Sequence, residues 1–205
     1  GWVIKEELPD GTIGSAQAFI FNLRDPKFQD PAVREAVRLM FNFEWSNETL
    51  FYGLYERVES FWQNTDLQAQ GTPSDAELAL LQPLVDEGLL DASILTDEAV
   101  IPPTSNASRP TDRGNLRTGS ALLDEAGWMA GDDGMRRKDG EALTVEFLSA
   151  SPGFDRIINP YIESLRRLGV DASLNRVDFA QYVERLNAPS EFDIVTHNMT
   201  QGFEP

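Results

Sequence analysis

The sequence predicts an α/β fold, and three observations carry that prediction. Residues 142–198 read as strand, helix, strand, helix, strand, because β-branched runs alternate with segments of helical apolar spacing. Glycine and proline fall at the joints of that pattern, Gly169 above all, where a helix C-terminus wants positive φ. The 205 residues are 41% hydrophobic and 25% charged, enough to bury a real core.

Taken in order, residues 2–8 (WVIKEEL) read as a first strand ended by the Pro9, Asp10, Gly11 turn signal. Residues 16–23 (AQAFIFNL) read as a second, buried at Phe19, Ile20, Phe21 and Leu23. Asp30 caps a helix with Pro31 at its first position, and Val33, Ala36, Val37, Met40 and Phe41 form its apolar face. An aromatic stretch follows: Trp45, Phe51, Tyr52, Tyr55, Phe61 and Trp62. Its short helix is capped by Ser46 or Asn47 and stopped at Gly53. Core packing accounts for most of these rings, and a minority suit a groove for an extended ligand. Ser74 with Glu77 is a capping box opening a helix with Leu78, Leu81 and Leu84 inside, limited or kinked by Pro83. Residues 88–117 read as a long irregular connection.

Asp112 or Asn115 then starts a helix through Leu122, Leu123 and Ala126, closed by Gly127. Two turns bracket Met135, Arg136 and Arg137 as in a small hairpin. Residues 142–149 (ALTVEFLS) are a strand, 154–168 a helix, 170–177 a strand, 179–186 a helix and 192–196 a strand. Strands joined this way pair in parallel, and their ligands collect beyond the carboxyl ends. That rule selects Ser151, Asp178 and the run Thr196, His197, Asn198, Met199, Thr200 as candidate site residues.

The formal net charge is −17, with 34 acidic residues against 17 basic, which disfavours nucleic acid and anionic membrane as partners. Cysteine is absent, so disulfides, thiolate catalysis and cysteine metal sites are excluded for this chain. His197 is the only histidine, and catalysis would require a nucleophile and an orienting acid beside it; a ligand contact or a structural role fits it better. Asp132, Asp133 and Asp139 lack the spacing of a calcium loop and read as solvated turns. The turn after the first strand of the βαβαβ unit carries one glycine, Gly153, where the dinucleotide fingerprint needs three. Ser151 at that turn either caps the helix or offers its hydroxyl to a ligand carboxylate.

Several motifs, in the same order, resemble one family. FNLRDPKFQDPAVREAVRLMFNFEW (residues 21–45), DRGNLRTGSALLDEAGW (112–128), RRKDGEALTVEFL (136–148) and LRRLGVDASLNRVDFAQYVERL (165–186) are similar to runs of the family 5 extracellular solute-binding proteins. FEWSNETLFYGLYERVESFW (43–62) resembles that family's Yej-type peptide-binding branch. The resemblance covers nearly the whole chain. It implies a periplasmic-binding-protein-like lobe of type II, peptide-binding class, with residues 1–205 as a single α/β lobe cut from a larger two-lobed receptor. It further implies the periplasm, no enzymatic activity and no cofactor. The implied partners are a peptide ligand, the permease subunits of an ABC transporter and the second lobe of the same polypeptide. The implied ligand contacts are Asn22, Ser151, Thr196, His197, Asn198, Met199, Thr200 and Gln201. Relatives often supply an Asp for the ligand's free amine just after the last strand. Here residues 196–202 contain none, which leaves Glu204, an N-blocked ligand or a ligand other than a plain peptide. Two alternatives stand beside this reading. One is a receptor of the same family for nickel, an opine or a sugar conjugate; the other is an enzyme domain of dinucleotide-fold winding, against which the missing phosphate loop counts.

Overall fold

The structure, a computed structural model, describes residues 2–6, 8, 15–60, 62–188 and 191–200. The chain divides into two compact units. The larger comprises Gln17–Arg57 and Pro103–His197, and the smaller comprises Gly1–Ala16, Val58–Pro102 and Asn198–Pro205.

The main sheet is mixed and joins β1 (Ala16–Phe21), β5 (Thr144–Ser149), β6 (Asp171–Arg176) and β7 (Ile194–Met199), in the order β1-β7-β5-β6. β5 pairs in parallel with both β6 and β7, as the strand–helix alternation predicts. β1 is antiparallel to β7: Asn22 N–H donates to the Asp193 carbonyl (2.9 Å) past one end, and Ser15 Oγ lies 3.5 Å from Thr200 Oγ1 past the other. A second, small sheet joins β2 (Met129–Ala130), β3 (Arg136–Lys138) and β4 (Glu141–Ala142). Its β3–β4 turn is formed by Asp139 and Gly140, both at positive φ.

The core lies where α5 (Asp155–Arg167) covers the main sheet. Ile158, Ile162 and Leu165 bury against Val145, Phe147, Ala172 and Ile194. Tyr161 sits at the centre of a ring cluster with Phe19, Phe41 and Phe147, centroids 5.0–5.4 Å away, and its hydroxyl donates to the Val37 carbonyl. Helices α1 (Pro31–Arg38) and α4 (Arg113–Glu125) extend this core through Val33, Val37 and Leu123. α1 begins as the sequence requires, with Asp30 accepting from Ala32 N and Pro31 first. Asp112, not Asn115, caps α4. α5 ends at Gly169, φ +90°, where a Cβ would meet the Gly134 carbonyl at 2.4 Å.

Six expectations are corrected. The described residues from 2 to 8 form no strand and lie exposed, with no partner strand beside them. β1 stops at Phe21, so Leu23 falls in the following turn, 55% exposed. α2 (Phe43–Leu50) starts earlier than expected, because Asn42 supplies the cap by accepting from Trp45 N. Of the aromatic residues at 45, 51, 52, 55 and 62, none is buried, and Tyr52, at φ +59°, is largely exposed. The capping box does open α3 (Asp75–Asp86) in the smaller unit, but that helix runs through Pro83 and buries none of its residues. Within residues 88–117 the chain is less irregular than its sequence suggests, with a 3-10 turn at Ala92–Leu95 and the start of α4 at Arg113.

Candidate functional site

The last strand lies two to three residues further along the chain than its pattern suggests. It spans Ile194–Met199 rather than 192–196, so Thr196, His197, Asn198 and Met199 are strand residues. The cause is β1, a partner some 170 residues away, which keeps β7 extended beyond the point where β5 leaves it. In the β5–β7 register Phe147 faces Ile194 and Leu148 faces Val195, and β5 ends one residue later at Ser149. β7 therefore overruns the carboxyl edge of β5.

Strand alternation fixes which backbone groups face that overrun side. The Asp193 carbonyl accepts from Asn22 and so points to β1. Backbone direction reverses at each residue, so Ile194, Thr196 and Asn198 turn theirs toward the β5 side. The Thr196 carbonyl there accepts a hydrogen bond from Tyr182 Oη (3.1 Å) on α6 (Phe179–Asn187). Asn198 comes next on that side, past the end of the β5 ladder.

The side chains follow the same progression. Ile194 and Val195 are buried, Thr196 is half-buried, and His197 and Asn198 are exposed, as is Thr200 beyond half-buried Met199. Gln201 and Glu204 lie outside the described residues. Ser151 is exposed and its side chain makes no cap bond; its N–H donates to Ser149 Oγ at 3.3 Å. Asn22 is buried and its amide is engaged, donating to the Phe192 carbonyl and accepting from Arg24 N. It braces the entry to β7.

Two residues that the sequence reading passed over belong in this picture. Phe179, first residue of α6, is 73% exposed and stacks on Tyr182 with centroids 6.5 Å apart. Val183, one turn on, is also exposed. α6 starts at the carboxyl end of β6, capped by Asp178, which accepts from Gln181 N. The strand-end rule that selected Asp178 could have selected its neighbour Phe179. Burial raises the Tyr182 phenol above its usual pKa, so the hydroxyl stays protonated and donating at neutral pH.

At the amino-terminal end of the same strands is a depression of ≈ 480 Å³ lined by Glu146, Arg185, Glu191, Phe192 and Asp193. Glu146, Arg185 and Asp193 there are paired. Arg185 pairs with Glu146 (2.7 Å), and Asp193 receives Lys27 (2.9 Å) and the Glu146 N–H (2.8 Å). It fastens α6 and β7 to the sheet. Among the described residues no three of His, Asp and Glu gather to hold a metal ion. No helix of the described residues is long and apolar enough to cross a membrane.

Residues 4–205 match the family model described as bacterial extracellular solute-binding proteins, family 5 Middle. The chain is 36% identical over 197 residues to a "probable peptide-binding protein YejA" of Agrobacterium fabrum, covering 95% of this chain and 31% of that protein. It thus spans about a third of the length of the curated relatives it matches. Its fold is similar to that of the oligopeptide-binding protein AppA of Bacillus subtilis in complex with a nonapeptide. The TM-score is 0.60 at 19% identity, over 94% of this chain and 32% of that one. NikA of Brucella suis in complex with Fe(III)-EDTA is equally similar, TM-score 0.60 at 20% identity, over 93% and 32%. The α/β architecture expected from the sequence is that of these binding proteins, and the chain belongs to the family 5 bacterial extracellular solute-binding proteins.

Proposed function

We propose that this chain supplies one ligand-binding lobe of a periplasmic receptor that delivers extended peptides to the permease of an ABC importer. The observation that carries the peptide reading is the overrun of β7. A strand that continues past the end of its neighbour's ladder is a template for β-augmentation, in which a ligand's main chain adds as a further strand. Such pairing tolerates many side chains, as a receptor for peptides of varied sequence requires. The proposed contacts are the backbone of Asn198 and the side chains of Thr196, His197, Met199, Thr200, Gln201 and Ser151. Asn22 serves by bracing the start of β7. The peptide-binding name of the Agrobacterium relative and the nonapeptide held by AppA favour the same ligand class. A second reading, a non-peptide ligand such as a metal chelate, draws on the equal likeness to NikA.

The test is calorimetry and mass spectrometry on the full-length protein purified without denaturation. Peptides identified among co-purifying ligands, and saturable binding of synthetic peptides recovered intact, are expected. A chelate or glycan as the bound species, with no peptide binding, would replace this reading by the second. Cleavage of the peptides would overturn the receptor role altogether.

A further inference from the structure

Two Asp-Gly pairs flank β3, Asp133–Gly134 before it and Asp139–Gly140 after it; a third, Asp10–Gly11, lies outside the described residues. In sequence the two flanking pairs are equivalent sites for one spontaneous reaction. The amide nitrogen of the residue after an aspartate attacks the side-chain carboxyl, and glycine, with no Cβ, hinders that attack least. A bond forms from the nitrogen to Cγ, a carboxyl C–O bond breaks, and the amide proton leaves with the hydroxyl as water. The five-membered ring then takes water back. Opening at Cγ restores aspartate. Opening at the main-chain carbonyl leaves isoaspartate, whose backbone runs through the side chain at unchanged mass. No oxidant or co-reactant is needed.

The structure separates the two sites. At Asp133 both reacting groups are engaged. Its Oδ1 accepts from Arg137 Nη1 (2.8 Å) and Met135 N (3.1 Å), and its Oδ2 accepts from Arg137 Nη2 (2.8 Å). The hydrogen bonds from Arg137 hold this carboxyl well below its usual pKa, in the ionised form that is the poorer electrophile. The nucleophile is engaged as well, since Gly134 N–H donates to the Gly131 carbonyl at 2.9 Å. At Asp139 neither group is held. Among the described residues its carboxyl has no hydrogen bond or ion pair, and Gly140 N–H meets no acceptor. Both residues are exposed, at φ +53° and +87°. The first value lies in the left-handed region, which a non-glycine residue leaves readily once the turn opens. The pair Lys138 and Glu141, the last of a short ladder, closes that turn.

We infer that Asp139 is a modification site of the native fold, converting to isoaspartate through attack by the Gly140 nitrogen, while Asp133 is protected by Arg137 and by the Gly134–Gly131 bond. The product adds one carbon to the main chain between Lys138 and Glu141. A ladder matched to a two-residue turn loses its register at that end.

The experiment incubates the full-length protein for weeks at physiological temperature and mildly acidic pH, folded in buffer and unfolded in urea. Samples are then digested, and electron-driven fragmentation in the mass spectrometer distinguishes the two linkages. In urea both sites should convert at similar rates. In the folded protein Asp139 should convert within a few-fold of its urea rate, and Asp133 at least about tenfold more slowly, the population cost of breaking a charge-assisted hydrogen bond. Arg137→Gln should speed conversion at Asp133 and leave Asp139 as it was. Asp139→Glu should abolish the product at that position, because its ring would be one atom larger. Asp139 intact in the folded protein while it converts in urea, or Asp133 keeping pace with it in the folded protein, overturns the inference. Conversion at Asp133 unchanged by Arg137→Gln overturns the protective role of Arg137.

Discussion

Arg136 is buried in the larger unit, yet every one of its nitrogens is spent on a partner. Nε donates to the Leu168 carbonyl (2.9 Å), Nη1 to Asp124 (2.7 Å) and to the Trp128 carbonyl (2.6 Å), and Nη2 to Ser120 Oγ. Its backbone N–H donates to the Gly169 carbonyl (2.8 Å). One side chain thus ties β3, α4 and the end of α5 together. Arg136→Met keeps most of the volume but strands two carbonyls and a carboxylate, and should cost about 3 kcal/mol in urea unfolding. Arg136→Lys cannot reproduce the planar fork and should recover only part of that loss. Gly169 beside it has no substitute. Ala there combines positive φ with a Cβ 2.4 Å from the Gly134 carbonyl, and should cost at least about 2 kcal/mol by the same measurement. A gain of stability for Gly169→Ala would mean that this turn is held differently.

At the scale of elements, helix starts were legible in the sequence wherever the chemistry is local. Asp30 with Pro31, and Ser74 with Glu77, cap the helices their spacing announces. Asp112 caps α4 through Gly114 N and Asn115 N, and it also accepts from the Asn106 backbone. The Asn106 bond is the main reason that its carboxyl titrates below the ordinary range. A carboxyl whose folded pKa is depressed contributes stability that is present above its unfolded pKa, about 3.9, and is lost as pH falls through the lower folded value. Asp112→Ala should therefore destabilise by about 1 kcal/mol at neutral pH, with the gap to wild type closing in the acid limb below about pH 4. Urea midpoints measured against pH check this, and a gap that stays constant down to the acid end would rule out the carboxylate as its source. What the sequence concealed was long-range. The end of β7 is set by β1, and its pattern alone stopped at Thr196. Tyr182 lies in the helix read at residues 179–186, and nothing local shows that its hydroxyl meets a carbonyl 14 residues on.

At the scale of the molecule, the two units differ in what holds them. In the larger, Val145, Phe147, Leu165, Val170 and Ile194 are essentially without solvent exposure. In the smaller, α3 is well capped but buries no residue, with Leu80 and Leu89 largely exposed. The sequence could not distinguish these cases. The leucines of α3 recur with helical spacing as the apolar residues of α5 do, and burial depends on what packs against a helix rather than on its own pattern. A helix that buries no residue is marginal in water at this length. Opening free energies should therefore separate along the chain. In hydrogen exchange on the 205-residue chain, amides of β5 and α5 should exchange only on global unfolding of the larger unit, while those of α3 exchange orders of magnitude faster. Ser74→Ala should accelerate α3 further, by about five- to tenfold if the cap contributes about 1 kcal/mol, and leave β5 and α5 unchanged. If α3 exchanged as slowly as α5, or if Ser74→Ala lowered protection in both, the two units would unfold as one.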